Sequence, residues 1–594
     1  MIMRNKYKSI LKYAWIICLI FSNTAYLSAG TSPLFPTSIT VNEKGELLIA
    51  EKGTKKVDVF SPDGKTLLHS FLLDDAPTGI VSDGNKIYVT TFETIGRLQI
   101  LSSESGKVEK SIVTGSGACH PLFSPDKKYI YVCNQFQNTV SKVDVERKEV
   151  VATVNVLREP KSAVLSKDGK HLYVTNFLPA QRADADYVAA CISVIKVDRF
   201  TKVKDIQLAN GSNALRGICI TPDGKYIYVS HNLGRFTVPT SQLQQGWMNT
   251  SAFSIIDTAQ QEFLGAVVVD EPERGAAGIW SIACNDRSIF ISHSGTHEVS
   301  VINHKAMLEK FLNYPDKSAL DYDLTFLYGI RKRIPLQGNG PRSMVLTDSR
   351  LILPTYFADI LNIMDLNTHQ LITVEMNPER EESLENKGER YFNDASHCFQ
   401  NWQSCNGCHP GDARTDGMNW DLMNDGIGNS KNCKSLLFSH VTPPNMISGI
   451  REHAERAVRA GFNFIQFYDI SEEDAVCVDA YLKSLRPVPS PYLINGGLSE
   501  KAKAGKEVFN RLQCGECHSG SYYTDMKMHR IGDDIEFEKG WDTPTLREVW
   551  RTAPYLFDGR AATMKEVFEV HKHGISKKIS EKDIEALTEY VNSL

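Results

Sequence analysis

A repeated pattern of short apolar runs occupies residues 36–376 and limits what this chain can fold into. Each copy has an apolar run, a turn such as Ser-Pro-Asp-Gly, an aromatic-rich run and two further strand-length runs. Seven copies begin near Pro36, Pro77, residue 119, residue 160, residue 215, Ala276 and Pro341. A four-stranded unit cannot bury both of its faces alone, and radial packing of such units solves this with few open edges. The pattern therefore predicts an all-β, seven-bladed β-propeller; two stacked sandwiches are the alternative, and the regular period disfavours them.

The repeat resembles the YVTN-repeat propellers over most of residues 33–377, and residues 173–176 read Tyr-Val-Thr-Asn. The ends of the second strands are expected to form a polar ring of Glu51, Thr91, Asn134, Asn176, His231, His293 and Thr355. The two histidines fall in neighbouring blades and can bind a metal or ligand, but hydrogen-bonded loop histidines are the commoner case. Insertions at 179–190 and 232–250 are the places where partner contacts are expected.

Two C-x-x-C-H motifs lie in the last third of the chain. Their residues are Cys405, Cys408 and His409 in the first motif, and Cys514, Cys517 and His518 in the second. Two thiols at this spacing can bond the vinyl groups of a haem, and the following His then supplies the proximal iron ligand. Paired zinc or disulfide motifs would leave both histidines unexplained. The sequence therefore predicts two covalently bound c-type haems.

The N-terminus has the pattern of a secretory signal peptide over residues 1–30. A basic stretch precedes the apolar run YAWIICLIF at residues 13–21, and small residues at 28–30 offer a cleavage site. The apolar run is too short for a stable membrane span. We therefore expect a periplasmic or otherwise extracytoplasmic protein, soluble after cleavage. The formal net charge of −5 gives no indication of nucleic acid binding.

The pattern becomes helical from residue 378. Helices are predicted at 381–392, 449–461, 472–485, 499–512 and 581–594. Three prolines at 487, 489 and 491 form a stiff linker between two helical parts. We therefore predict four segments, which are the signal peptide at 1–30, the propeller at 31–377, and two mainly α cytochrome c-type haem domains at 378–492 and 493–594.

The haem motifs, their spacing and residues 543–567 (TPTLREVWRTAPYLFDGR, then AATMKEV) resemble the di-haem bacterial cytochrome c peroxidase family. The resemblance covers about residues 385–594, and the family includes a relative that oxidises tryptophans of methylamine dehydrogenase. It implies that the second haem transfers electrons and has two axial ligands, with the sixth ligand shortly after residue 567. The family has Met or Tyr there. This chain offers His571, with His573 as the next choice, unless both lie on a solvated helix end.

The first haem would be the peroxidatic one by the same resemblance. In some members a His in the loop after the motif caps this iron, but residues 410–430 contain no His. Met418 and Met423 can bind iron, although packing is the commoner role of Met. We therefore expect an open position at the first haem.

Cleavage of peroxide also needs a general acid–base near the iron. The family uses a Glu, and its position falls at Gln466, whose amide can orient peroxide but cannot move its proton. Glu455 and His453 on the preceding helix are the candidate replacements. The family also binds calcium between its haem units, and its ligands correspond to Asn432, Thr552 and Pro554.

The expected function is reduction of hydrogen peroxide with electrons from a small redox protein or a quinol-linked donor. The propeller would be a docking platform for a donor, a substrate protein or the cell envelope. One alternative is an oxidase-type enzyme that uses high-valent haem to oxidise a partner protein or a small molecule. The other is a non-enzymatic electron-transfer or binding protein, which the Gln at position 466 favours.

Overall fold

The computed structural model describes residues 31–238, 248–422, 428, 430–531 and 538–594. The predicted signal peptide, part of the insertion at 232–250, and Met423 lie outside the described residues. Within the described ranges, no helix combines the length and the apolar character needed to cross a membrane.

Seven four-stranded antiparallel sheets form the first part of the chain, each built from four consecutive strands. Blade one has β1 (Pro36–Val41), β2 (Leu47–Glu51), β3 (Lys56–Phe60) and β4 (Leu67–Leu72). Blade two has β5 (Pro77–Ser82), β6 (Lys86–Thr91), β7 (Arg97–Ser102) and β8 (Val108–Val113). Blade three has β9 (Ala118–Phe123), β10 (Tyr129–Asn134), β11 (Thr139–Asp144) and β12 (Glu149–Asn155).

The remaining four blades follow the same order. Blade four has β13 (Pro160–Leu165), β14 (His171–Asn176), β15 (Cys191–Lys196) and β16 (Thr201–Gln207). Blade five has β17 (Ser212–Ile220), β18 (Tyr226–Gly234), β19 (Asn249–Asp257) and β20 (Glu262–Val268). Blade six has β21 (Ile279–Cys284), β22 (Ser288–His293), β23 (Glu298–Asn303) and β24 (Arg331–Pro335), with helix α1 (His304–Leu312) before β24. Blade seven has β25 (Val345–Leu346), β26 (Arg350–Pro354), β27 (Ile360–Asp365) and β28 (Leu371–Glu375). The seven-bladed propeller is confirmed.

Blades one and seven close the ring by packing rather than by sharing a strand. Ile39, Leu47 and Ile49 of blade one form one apolar cluster with Ile352 and Leu361 of blade seven. Burial of such side chains contributes about 1.5–3 kcal/mol each. Closure therefore depends on apolar contact between two blades that are far apart in the sequence.

The two histidines of the polar ring at the second-strand ends are hydrogen-bonded within the propeller. His231 is fully buried and its ring nitrogens bond Asn232 O and Ser254 Oγ at 2.9 and 2.7 Å. His293 bonds a backbone carbonyl and Ser300 Oγ in the same way. Burial lowers the pKa of His231 to about 4 and that of His293 to about 3. Both histidines are therefore neutral and hydrogen-bonded inside the propeller, which agrees with the alternative of hydrogen-bonded loop histidines.

The part of the chain after the propeller contains six α-helices of six or more residues in its described residues, besides a four-residue helix at Pro410–Ala413. They are α2 (Leu384–Asn393), α3 (Ala454–Phe464), α4 (Glu472–Ser484), α5 (Glu500–Arg511), α6 (Met564–Glu569) and α7 (Glu581–Asn592). Four of them begin directly after a Ser whose Oγ accepts the backbone N–H three residues on, which is a favourable cap. Long stretches without regular structure join these helices, so the prediction of two mainly α domains is not confirmed.

Helix pairs α2/α4 and α5/α7 cross in the same way. A Cβ atom on Gly388 would come within 1.9 Å of the carbonyl oxygen of Cys477, and a Cβ on Gly505 within 1.9 Å of that of Ala586. Only Gly allows such a close approach of two helix backbones. Each haem motif lies shortly after the first helix of its pair, so we call the surroundings of the two pairs the first unit and the second unit.

Candidate haem sites

The two C-x-x-C-H motifs have the same local geometry. Each begins with a single 3-10 turn, at Cys405–Gly407 and at Cys514–Glu516. The imidazole Nδ1 of His409 lies 3.1 Å from Arg414 O, and that of His518 lies 3.1 Å from Tyr523 O. Each Nδ1–H therefore donates to a carbonyl five residues later, so Nε2 of each ring is the nitrogen that would bind a metal. Burial lowers the pKa of both histidines, which favours the neutral form that a metal needs.

A second imidazole faces His518. The rings of His518 and His573 have centroids 6.3 Å apart and planes tilted by 50°. A metal–imidazole bond of about 2 Å on each side, plus the distance from each nitrogen to its ring centre, closely matches this separation. Burial, followed by the charge of His518, lowers the pKa of His573 to about 4. The arrangement fits two neutral imidazoles on one iron.

The residue opposite His518 is thus His573 and not His571, which was the first choice from the sequence. Lys572 has a φ of 51°, and the N–H of His573 returns to Val567 O at 3.1 Å. His571 lies two residues before His573 in the chain. The local backbone therefore corrects the choice between the two histidines.

Two amide side chains hold the thiols of the first motif. Asn249 of β19 donates from Nδ2 to Cys408 Sγ at 3.1 Å, and Gln466 donates from Nε2 to Cys405 Sγ at 3.2 Å. Their carbonyl oxygens Oδ1 and Oε1 are buried without a hydrogen-bond partner among the described residues. Gln466 therefore sits at an attachment thiol, which differs from the expected role of orienting peroxide.

The other two predicted catalytic residues lie on the surface. The side chain of His453 is 59% exposed, and its nearest charged partner is Glu452. Glu455 pairs with Lys483 at 2.9 Å, and both of these side chains are about half exposed. The structure does not bring His453 or Glu455 to the first motif, so neither is placed to act as its acid–base.

The propeller touches the first motif directly. Arg216 of β17 donates from Nη2 to Asn406 Oδ1 at 2.7 Å, and Asn406 is one of the two residues between the thiol positions. Asn406 in turn bonds Asn393, which also accepts from Arg342 at 3.0 Å. Both guanidinium groups stack on Trp280. Burial, together with the charge of Arg342, lowers the pKa of Arg216 to about 9, so it stays charged at neutral pH.

A buried chain of charges joins the propeller and the two units. Arg414, whose carbonyl fixes His409, pairs with Glu548 through Nε at 2.7 Å and Nη2 at 3.1 Å. Arg551 lies between Glu548 and Glu159 of the propeller, at 3.5 and 3.3 Å, and all four side chains are at least nine-tenths buried. Arg551 also donates to Gly411 O at 3.0 Å, two residues after His409.

Two side chains near the first motif were not singled out from the sequence. Burial raises the pKa of Asp416 to about 7, although Trp420 Nε1 donates to its carboxylate at 2.8 Å. Cys433 Sγ lies 3.5 Å from His409 Nδ1 and 3.1 Å from Cys408 O. The sequence gave no indication of either feature, because the burial of Asp416 and the contacts of Cys433 arise only through folding.

Met418 is fully buried and accepts from Asn213 Nδ2 of the propeller at 3.6 Å. This contact gives it the packing role that is common for Met.

Two of the three predicted calcium ligands meet. The side-chain amide of Asn432 bonds Pro554 O, and its buried Oδ1 has no hydrogen-bond partner in the described part of the chain. Thr552 is nearby in sequence, and its hydroxyl donates to Val549 O at 3.1 Å. Within the described ranges, no cluster of three or more His, Cys, Asp or Glu residues suits a metal ion. The calcium site stays a prediction.

Comparisons with known proteins support a haem-related propeller protein. The family model of the Cytochrome D1 heme domain matches residues 82–187, which lie in blades two to four. Hydrazine synthase subunit gamma of Kuenenia stuttgartiensis is 26% identical over 272 residues, covering 35% of this chain and 76% of that protein. Hydrazine synthase subunit beta of the same organism is 23% identical over 218 residues, covering 35% of this chain and 54% of that protein.

One solved structure is similar enough to this chain to support its fold. A chain of Kuenenia stuttgartiensis hydrazine synthase superposes with a TM-score of 0.52 and 21% identity, covering 58% of this chain and 99% of that chain. This match supports the propeller fold. The chain is thus similar to hydrazine synthase subunits, and a haem-related redox role of the oxidoreductase type is the coarse functional conclusion.

Proposed function

We propose that this chain is an exported oxidoreductase with two c-type haems, in which electrons enter at the second motif and a small molecule reacts at the first. The observation that carries the proposal is the difference between two otherwise matching motifs. Both present an imidazole whose Nδ1 lies 3.1 Å from a backbone carbonyl, but among the described residues only His518 has a second imidazole, that of His573, at the spacing of a shared metal. A doubly ligated iron suits electron transfer, and an open one suits chemistry.

The residues at both motifs fit a covalently attached haem. The holders would be Cys405, Cys408 and His409 at the first motif, and Cys514, Cys517, His518 and His573 at the second. A bound haem would supply an iron that takes up and releases one electron at a time. The chain itself orients each proximal imidazole through a backbone carbonyl. At the first motif, Asn249 and Gln466 also hold the thiol positions.

The surroundings favour this division of roles. In the second motif Gly515 and Glu516 are exposed, so a small redox partner can approach closely. In the first motif Gly407 is buried against Asn249 of the propeller. Burial excludes water and bulky partners, which suits a site where a small substrate reacts.

Hydrogen peroxide is the first candidate substrate, because residues 385–594 resemble the di-haem peroxidases. Its reduction takes two electrons and two protons and yields two molecules of water. A small inorganic nitrogen compound is the second candidate, which the similarity to two hydrazine synthase subunits favours. The oxidation of a partner and a purely electron-transferring role are the remaining alternatives.

The experiment is haem analysis of the mature protein, followed by mixing of the reduced protein with each candidate. We expect two haems per chain, and one in a variant with Cys405→Ala and Cys408→Ala. Rapid reoxidation by hydrogen peroxide supports the peroxidase form, and reoxidation by hydroxylamine supports the nitrogen form. Fewer than two haems in the wild-type protein would reject the proposal. Two haems that neither compound reoxidises would leave only electron transfer.

A further inference from the structure

The short segment after helix α6 has a distinctive backbone that delivers His573 to its site. Helix α6 ends at Glu569, and the chain then reverses through Lys572, whose φ is 51°. The N–H of His573 returns to Val567 O at 3.1 Å. A positive φ at a residue other than Gly is uncommon, so this turn is a specific feature.

The same turn occurs after helix α3 in the first unit. Phe467 has a φ of 49°, and the N–H of Tyr468 returns to Phe462 O at 3.0 Å. The number of residues between the donor and the acceptor is identical in the two turns. Tyr468 is therefore the backbone counterpart of His573.

The surroundings of the two turns repeat as well. An isoleucine stands two residues after each of the matched residues, Ile470 after Tyr468 in the first unit and Ile575 after His573 in the second. Ile470 packs against the cluster that also contacts Cys405, and Ile575 packs against the cluster that also contacts Cys514. The match therefore extends from the backbone to the core of each unit.

Tyr468 packs against the same apolar cluster as Cys405. Its ring meets the ring of His397 edge-on, with centroids 5.1 Å apart. His397 Nδ1 is buried without a hydrogen-bond partner among the residues the structure describes, and it lies 4.0 Å from a carboxylate oxygen of Asp394. The phenol ring of Tyr468 therefore contacts the imidazole of His397, whose Nδ1 has no hydrogen-bond partner among the described residues, in the first unit.

We propose that Tyr468 is the counterpart of His573 at the first haem site, where it would lie on the side of the haem away from His409, with His397 next to it. The proposal rests on the proposed function, because it requires haem at both motifs. A phenol O–H can donate to a small molecule held at the iron, which an imidazole already bound to the iron cannot do. Tyr468 would thus be the polar group near the iron, a role that Gln466, Glu455 and His453 do not fill.

The test uses the mature two-haem protein with Tyr468→Phe, and Tyr391→Phe as the matched control. Tyr391 also meets His397 edge-on, at 5.0 Å, but it lies on helix α2 and has no counterpart relation to His573. We expect Tyr468→Phe to alter the absorption spectrum of the first haem and to change its cyanide affinity about tenfold or more. The control should leave both unchanged.

A second variant keeps the test decisive if the Phe substitution destabilises the protein. Tyr468→His should convert the first haem to a low-spin form like the second. Unchanged first-haem spectra in both Tyr468 variants, with two haems bound, would overturn this proposal alone. A wild-type protein with fewer than two haems would instead reject the proposed function.

Discussion

The two haem-motif units share their construction and differ in their surroundings. Both have a Gly-mediated helix crossing, a 3-10 turn at the motif and a proximal His that donates to a carbonyl five residues on. The first motif is covered by blade five of the propeller, whereas residues 515 and 516 of the second are exposed. One unit, used twice, therefore lies in two different surroundings, and the proposed division of roles rests on that difference.

The residues at the two matching turns also differ between the units. The turn after helix α6 places His573 against His518, and the matching turn after helix α3 carries Tyr468. A second imidazole would fill the sixth position of an iron, whereas a protonated phenol would instead donate a hydrogen bond to a small molecule held there. The following predictions test this difference between an enclosed first unit and an exposed second unit.

The largest expected effect comes from the buried charges that attach the first unit. Glu548→Ala removes the carboxylate between Arg414 and Arg551, and it leaves both guanidinium groups buried without that partner. We expect the free energy of unfolding to fall by about 3–5 kcal/mol, measured by urea denaturation. The control Glu455→Ala breaks a half-exposed ion pair with Lys483 and should cause no measurable change. Equal losses in the two variants would contradict the account.

Asp416 should make the stability of the first unit depend on pH. Burial raises its pKa to about 7, so the folded protein holds this proton more tightly than the unfolded chain. The resulting stabilisation is complete below the ordinary Asp pKa and is lost as the pH rises through about 7. Relative to wild type, Asp416→Asn should therefore gain roughly 2–3 kcal/mol between pH 5 and pH 8, measured by urea denaturation.

The second unit supplies the control for this pH effect. The hydrogen bond with Ser580 and the guanidinium of Arg511 lower the pKa of Asp583. Asp583→Asn should therefore show no pH-dependent gain between pH 5 and pH 8. A flat profile for Asp416→Asn, or equal slopes for both variants, would show that Asp416 is not a buried proton site.

A smaller effect is expected from the propeller charge at the first motif. Arg216 is buried and bonds Asn406, so its positive charge disfavours the oxidised iron of the first haem. Arg216→Met should lower the reduction potential of that haem by about 59 mV, a tenfold change in the equilibrium constant, in a spectroelectrochemical titration.

The second haem should keep its potential in this variant. Arg511, which pairs with Asp583 at 2.9 Å near the second motif, provides the matched change. Solvent and salt screen its charge, so Arg511→Met should shift neither potential appreciably. Equal shifts of both haems in Arg216→Met would show that the propeller does not act locally.

The sequence was most informative where the structure is local and repeated. Strand-length runs and turns predicted all seven blades, and two short motifs located the two matching turns that carry His409 and His518, because such signals lie within a few residues. It could not decide between His571 and His573, because the choice depends on the positive φ of Lys572. It also could not find Asn249 at Cys408, a contact across 159 residues.

The predicted catalytic set shows the same limit. Gln466, Glu455 and His453 were chosen by their order in the chain, but the structure separates one buried amide from two surface side chains. Tyr468 can be matched to His573 only through the backbone hydrogen bonds that the two units share. Long-range packing therefore decides which nearby polar residues reach a site.

The most direct test of the proposed difference between the two units is the low-spin haem signal in variants of His571 and His573. His573→Ala should convert the second haem from low-spin to high-spin in absorption and electron paramagnetic resonance spectra, and His571→Ala should leave it low-spin. The first haem should be unchanged in both variants. Loss of the low-spin signal in His571→Ala, or its persistence in His573→Ala, would contradict the account.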